Sequence, residues 1–204
     1  MYNPYTEKGI NIIDKWKIYD CGDISITTKT EKTVKEHLFK TLEPLSRNLK
    51  NFLFLGGDHL STYFSVCALT KIKAFSGKKI GILYLDSHPD LYPDYEGNPY
   101  SHACVLRRII DESLIKPEDI TQVGIRAATP EQLEYSEETG ITVISTEKIL
   151  NNGVKTISRE IIESFGDSID LIYLSFDLDV MDPAFVPGVG NPEPGGISSA
   201  QLIQ

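Results

Sequence analysis

A chain of 204 residues, 41% hydrophobic and 24% charged, is long enough for a single α/β domain (1–204) and has ordinary globular composition. A formal net charge of −9 without any Lys/Arg run argues against nucleic acid and suits a small cationic ligand. No apolar run approaches the roughly 18 residues of a membrane span, and Met1-Tyr2-Asn3-Pro4-Tyr5 shows no signal-peptide pattern.

Residues 31–50 read as an amphipathic helix with a weak point at Pro44. Phe52-Leu53-Phe54-Leu55, short, apolar and followed by Gly56-Gly57, predicts a buried parallel strand. A helix over 61–72 follows, capped by Ser61 or Thr62. Residues 80–85 are a second buried strand ending at Asp86, and a loop rich in Pro, Tyr and Gly leads to a helix near 101–112. Strands are predicted at 122–125 and 142–145. Between them Thr129-Pro130-Glu131-Gln132 opens a helix, with Thr as cap and Pro at its first position. A helix over 154–165 stops at Gly166, and a last strand, 171–176, ends at Asp177. Strands alternating with helices imply a mainly parallel sheet covered on both faces, with ligands beyond the carboxyl ends of its strands.

Three of those strand ends carry the same kind of residue: Gly56-Gly57-Asp58-His59, Asp86-Ser87-His88-Pro89-Asp90 and Asp177-Leu178-Asp179-Val180-Met181-Asp182. So many carboxylates in one crevice raise one another's pKa, and burial adds to the penalty; divalent cations relieve both. A mixed Asp/His set suits manganese, and also zinc or iron, better than calcium or magnesium. In extended backbone Asp86 and His88 point to one side, as do Asp177 and Asp179, so two pairs suggest two metals. Each motif alone reads as a turn or a solvated loop; their coincidence at three strand ends carries the inference. His37, mid-helix, reads as a solvated surface residue. Cys104 reads as a packed small residue. Cys21, Cys67 and Cys104 are odd in number and contain no CxxC pair, which suggests reduced thiols in a cytoplasmic setting.

The stretches GGDH (56–59), DSHPDLY (86–92) and SFDLDVMDPAFVPGVGNPEPGG (175–196) resemble the three signatures of the arginase/agmatinase family, and EGNPYSHAC (96–104) resembles the agmatinase branch. Residues 16–24 (WKIYDCGDI) are similar to an early strand of that family. The resemblance implies an arginase-like three-layer α/β sandwich with a doubly wound parallel sheet, incomplete at both termini. It implies two Mn²⁺ per chain, the first held by His59, Asp86, Asp90 and Asp177, the second by Asp86, His88, Asp177 and Asp179. Asp86 and Asp177 would bridge. Asp58 and Asp182 would shape loops, and Asp90 or His102 would relay protons to the leaving amine. Ser87 stands where the family more often has Ala.

The activity this resemblance implies is hydrolysis of a guanidino compound, with agmatine giving putrescine and urea as the leading case. Arginine, guanidinobutyrate, guanidinopropionate or an N-formimino amino acid are rivals, as is a non-catalytic metal-binding role. A homo-oligomer, trimer or hexamer, is implied as well. The glutamate that holds the substrate guanidinium in the family would fall beyond Gln204.

Overall fold

The computed structural model of the protein describes residues 5, 6, 9–24, 30–49 and 51–204. In chain order its elements are α1 (Ile12–Lys15), α2 (Glu31–Leu45), α3 (Leu60–Leu69), β1 (Ile80–Leu85), α4 (Val105–Asp111), β2 (Ile120–Ile125), α5 (Pro130–Thr139), β3 (Thr142–Ser145), α6 (Thr146–Asn152), α7 (Val154–Phe165), β4 (Leu171–Phe176) and α8 (Ser199–Ile203). The four strands are parallel, in the order β3-β2-β1-β4. The chain runs outward from β1 through β2 to β3 and then returns to lay β4 on the other side of β1. That reversal opens a crevice at the carboxyl ends of β1 and β4.

Alternation along β1 divides the interior. Ile82 and Tyr84 point into a cluster with Val34, Leu38 and Leu42 of α2, much of α3, and Leu106 and Ile109 of α4. Leu83 and Leu85 point the other way, against a cluster that contains Ile149 of α6, Ile157 of α7 and Val180. Helices therefore lie on both faces of the parallel sheet at β1, the expected layered α/β architecture, while one face of β4 stays exposed.

Local chemistry explains the helix boundaries. The Thr30 hydroxyl accepts from Thr33 N–H at the start of α2. At α5 Thr129 and Gln132 form a reciprocal capping box behind Pro130, and Gly140 closes the helix at φ 87°. The helix predicted over 31–50 ends at Leu45, with Pro44 in its last turn; Lys50 lies outside the described residues. The cap expected of Ser61 or Thr62 is supplied instead by Asp58, whose Oδ1 accepts from Leu60 N–H at 2.7 Å, so α3 starts at Leu60. Sequence pattern missed α6, which the Ser145 side chain caps.

Two predicted strands are not strands. Residues 52–55 form no ladder among the described residues: Phe52 and Phe54 pack inward, while Leu53 and Leu55 are 85% and 90% exposed. The run is apolar throughout, yet only alternate side chains find a partner, because it lies outside the hydrogen-bonded sheet. Residues 16–24 are likewise irregular, with Trp16, Ile18 and Tyr19 at least half exposed.

One glycine couples the sheet to the crevice. Gly124 in β2 has φ +94°, and a Cβ there would run into Val180 Cγ2 and sit 3.2 Å from Asp86 O. Gly124→Ala should therefore lower stability by about 2–4 kcal/mol, combining a left-handed backbone penalty with overpacking. Urea denaturation should show a lower midpoint with an unchanged slope.

Candidate metal centre

The site is assembled by register. Leu85 pairs with Phe176, so the residues that follow, Asp86 and Asp177, leave adjacent strands side by side. Asp177 N–H donates to Leu85 O at 2.8 Å and Asp86 N–H to Val123 O at 3.1 Å, which fixes both turns to the sheet. Asp177 Oδ1 accepts from Asp179 N–H, and Asp86 Oδ1 from His88 N–H, so each carboxylate shapes the loop that carries the next polar residue. Asp90 sits at φ +52°, a conformation that strains a non-glycine residue by roughly 1–3 kcal/mol. Its carbonyl accepts from Leu106 N–H at the start of α4, which holds the residue there.

His59, just before α3, brings its Nδ1 within 2.9 Å of Asp86 Oδ2 and 3.3 Å of both Asp90 Oδ2 and Asp177 Oδ2. His88 Nδ1 lies 3.1 Å from Asp179 Oδ2 and 3.5 Å from Asp86 Oδ1. Two donor groups result, His59/Asp86/Asp177 and Asp86/His88/Asp179, each with its ligand atoms within 4.8 Å of one another. Asp86 belongs to both. Asp177 joins the first group, and Asp90 reaches it through His59. An ion bound by nitrogen and oxygen at about 2.0–2.2 Å spaces its donors roughly 3 Å apart, so this nitrogen–carboxylate set fits a divalent cation.

Without a cation, protons take up the charge. Burial alone pushes His59 down, but its hydrogen bonds to the carboxylates of Asp177, Asp86 and Asp90 outweigh it and lift the imidazole to about 12. Asp179 and Asp86 raise His88 to about 10 against a smaller effect of burial. Burial lifts Asp90 to about 6 despite His59, with Asp86 adding repulsion. Asp86 is penalised by burial too, yet the two imidazoles hold it below the usual carboxylate range.

The surrounding side chains were not singled out by sequence pattern. Tyr84, fully buried in β1, donates its hydroxyl to Asp90 Oδ2 at 2.6 Å and stacks on His59 with ring centroids 4.7 Å apart. Ser175 Oγ lies 2.8 Å from His59 Nε2 and from Thr62 Oγ1, which orients the ring. Such partners set the tautomer and angle of a metal-binding histidine. Glu193 Oε1 stands 3.6 Å from His88 Nε2. The one available signal was period: Tyr84 and Ser175 each sit two residues before a site aspartate, on the same side of their strands.

The remaining expected residues fall as follows. Asp58 caps α3, and Asp182 accepts from Ala184 N–H and Gly195 N–H, so both shape loops. His102 opens the short turn before α4, beside Ser101 and 5.9 Å from the Tyr95 ring. Among the described residues no hydrogen bond or ion pair joins it to the carboxylates. Cys104 is packed and fully buried, and His37 is exposed on α2.

A parallel sheet with paired Asp/His groups at its switch point defines a candidate binuclear metal protein of α/β type. The sequence matches the Arginase family over residues 1–204, and the chain belongs to that family. It is 33% identical to proclavaminate amidinohydrolase of Streptomyces clavuligerus over 97% of this chain and 62% of that protein. It is 31% identical to an agmatinase of Halalkalibacterium halodurans over 100% of this chain and 64% of the relative. Among solved structures, formimidoylglutamase of Bacillus subtilis superposes with a TM-score of 0.86 at 26% identity, covering 98% of this chain and 62% of that one. The chain thus spans less than two thirds of the length of these relatives.

Two outcomes follow from the electrostatics. The raised imidazoles stabilise the metal-free fold fully below the ordinary histidine value of 6.5, and that contribution is lost as pH rises through about 10 for His88 and about 12 for His59. Metal-free protein should therefore unfold at progressively lower urea concentration between pH 7 and pH 10; a midpoint that rises over that range would contradict the pairing. Tyr84→Phe removes the hydroxyl from Asp90 and should lower the stability of the metal-free protein by about 1–3 kcal/mol, measured by the same denaturation.

Proposed function

We propose that this chain forms the metal centre of a ureohydrolase that uses two divalent cations, manganese by preference, to hydrolyse a guanidino compound. The observation that carries this reading is the pair of donor groups sharing Asp86 at the carboxyl ends of β1 and β4. His59, Asp86, Asp90 and Asp177 would hold one cation, and Asp86, His88, Asp177 and Asp179 the other. Bound there, the cations supply a water-derived nucleophile at neutral pH and electrostatic stabilisation of the developing charge.

The chain's own residues supply the rest. Asp90, which would sit beside the first cation, and His102 on the 96–104 segment are the residues that would relay a proton to the departing amine. The net charge of −9 favours approach of a cationic guanidinium. The 96–104 segment supports agmatine as the substrate, with putrescine and urea as products. Relatives of this chain include proteins named agmatinase, guanidinobutyrase and arginase, so other guanidino acids and amines belong in the same test. Among the described residues no helix is long and apolar enough to cross a membrane.

The decisive experiment loads the chain with manganese and measures urea release from agmatine, arginine, guanidinobutyrate and guanidinopropionate, with formamide release from N-formimino-glutamate alongside. Agmatine should give the highest kcat/KM. Asp177→Ala should reduce bound manganese from two ions to one or none and cut turnover by orders of magnitude. Two ions bound without turnover on any substrate would favour the non-catalytic metal-binding reading; full occupancy in Asp177→Ala would remove that residue from the ligand set.

A further inference from the structure

Arg126 follows Gly124-Ile125 at the end of β2, next to the crevice but outside the Asp/His groups. Its guanidinium donates almost entirely to main chain. Nη2 lies 2.7 Å from Asp179 O, 3.3 Å from Met181 O and 2.7 Å from Glu193 O. Nη1 lies 3.1 Å from Val180 O and 3.3 Å from Gly124 O, and Nε lies 3.2 Å from Pro194 O. The backbone joins in: the N–H groups of Arg126 and Ala127 both donate to Ser87 O at 3.0 Å. One residue therefore touches three separate loops, carrying Asp86 and His88, Asp179, and Glu193.

These contacts have one geometric consequence. Asp179 and His88 meet at 3.1 Å, and Ser87 N–H donates to Asp179 Oδ1 at 3.0 Å, so the second donor group exists only while the 86–88 and 178–181 loops keep their mutual position. The 193–197 segment is held against the second loop as well: Met181 pairs with Ile197, Asp182 N–H donates to Ile197 O at 3.0 Å, and a Cβ on Gly196 would collide with Met181. Carbonyl oxygens turned toward one another repel, and a buried cluster of them needs donors. A planar guanidinium with five N–H groups meets that need; a lysine ammonium, a point charge with three, does not reproduce the fork.

We propose that Arg126 is the positioning residue of the second cation subsite, fastening Asp179 to His88 and holding the Glu193 loop over the latter's Nε2. The proposal rests on the two-cation reading above. It predicts a selective effect of the side chain, since the guanidinium touches the loops of Asp179 and Glu193 and none of His59, Asp86, Asp90 or Asp177, while the main-chain contact to Ser87 survives in Arg126→Lys.

The test compares wild type, Arg126→Lys and Leu38→Ala, the last a core truncation in α2 that lowers stability away from the site. Manganese titration by calorimetry gives two affinities, and Asp179→Ala identifies the second, because that residue belongs to the second group alone. In Arg126→Lys the second site should weaken roughly 10–100-fold while the first stays within about twofold, the usual scale for loss of a ligand's supporting contact. Leu38→Ala should leave the ratio of the two affinities unchanged. Hydrogen exchange should rise at 178–182 and 193–197 in Arg126→Lys and not across the sheet. Parallel weakening of both sites, no change in either, or exchange rising throughout would overturn the assignment. A wild type that binds fewer than two ions would sink the two-cation reading, and unchanged exchange in Arg126→Lys would independently sink the fastening role. Should Arg126→Lys not fold, the wild type still decides the matter: ¹⁵N spectra should show separate, slowly exchanging Nη resonances for Arg126, and a single averaged signal would show a guanidinium free of the loops.

Discussion

Like charges forced together govern this molecule. Asp86, Asp90, Asp177 and Asp179 converge at the ends of two neighbouring parallel strands, three of them buried. Nothing in an apolar core tolerates that arrangement without compensation. Two imidazoles answer it from either side, and a divalent cation answers it more fully. Much of the neighbourhood then follows as a requirement. Tyr84 and Ser175 aim those groups, Asp90 takes an unfavourable backbone angle to reach them, and Gly124 leaves room for the turn that carries Asp179.

The crevice exists because of topology and not because of any single loop. Adding β4 beside β1, after the chain has travelled to β3, brings together residues about ninety positions apart in sequence, such as Ser87 and Asp179. Such a contact closes a long loop, as does the pairing of β1 with β4 itself, so the carboxylates and the strands that carry them come together as one non-local unit. Family relatives carry names for different guanidino and formimino chemistry.

What could be read from sequence was what depends on local pattern. Apolar runs ending in Asp marked β1 and β4, and Thr129-Pro130 marked the start of α5 to the residue. The Asp and His residues were legible because their chemistry is unusual at the ends of two strands and after a further apolar run at once. Residues 52–55 misled because an apolar run reports a wish for burial and says nothing about whether a neighbouring strand is there to pair with it. Arg126 was invisible for a different reason. Its partners are carbonyl oxygens, which every residue has, so neither the identity nor the spacing of side chains announces the contact. Tyr84 was hidden inside a run that reads as a buried strand, where its ring suits burial and its hydroxyl needs a partner.

The position of β4 has a practical meaning. Among the described residues it is the last strand in the order β3-β2-β1-β4, and the side chains on one of its faces, Ile172, Leu174 and Phe176, are 55%, 58% and 41% exposed. A peripheral strand with one greasy face offers unpaired amides to any other extended segment and rewards contact with a second such surface. Charged replacements at Leu174 would make that face less apolar without touching the crevice, because neighbouring Ser175, not Leu174, faces His59.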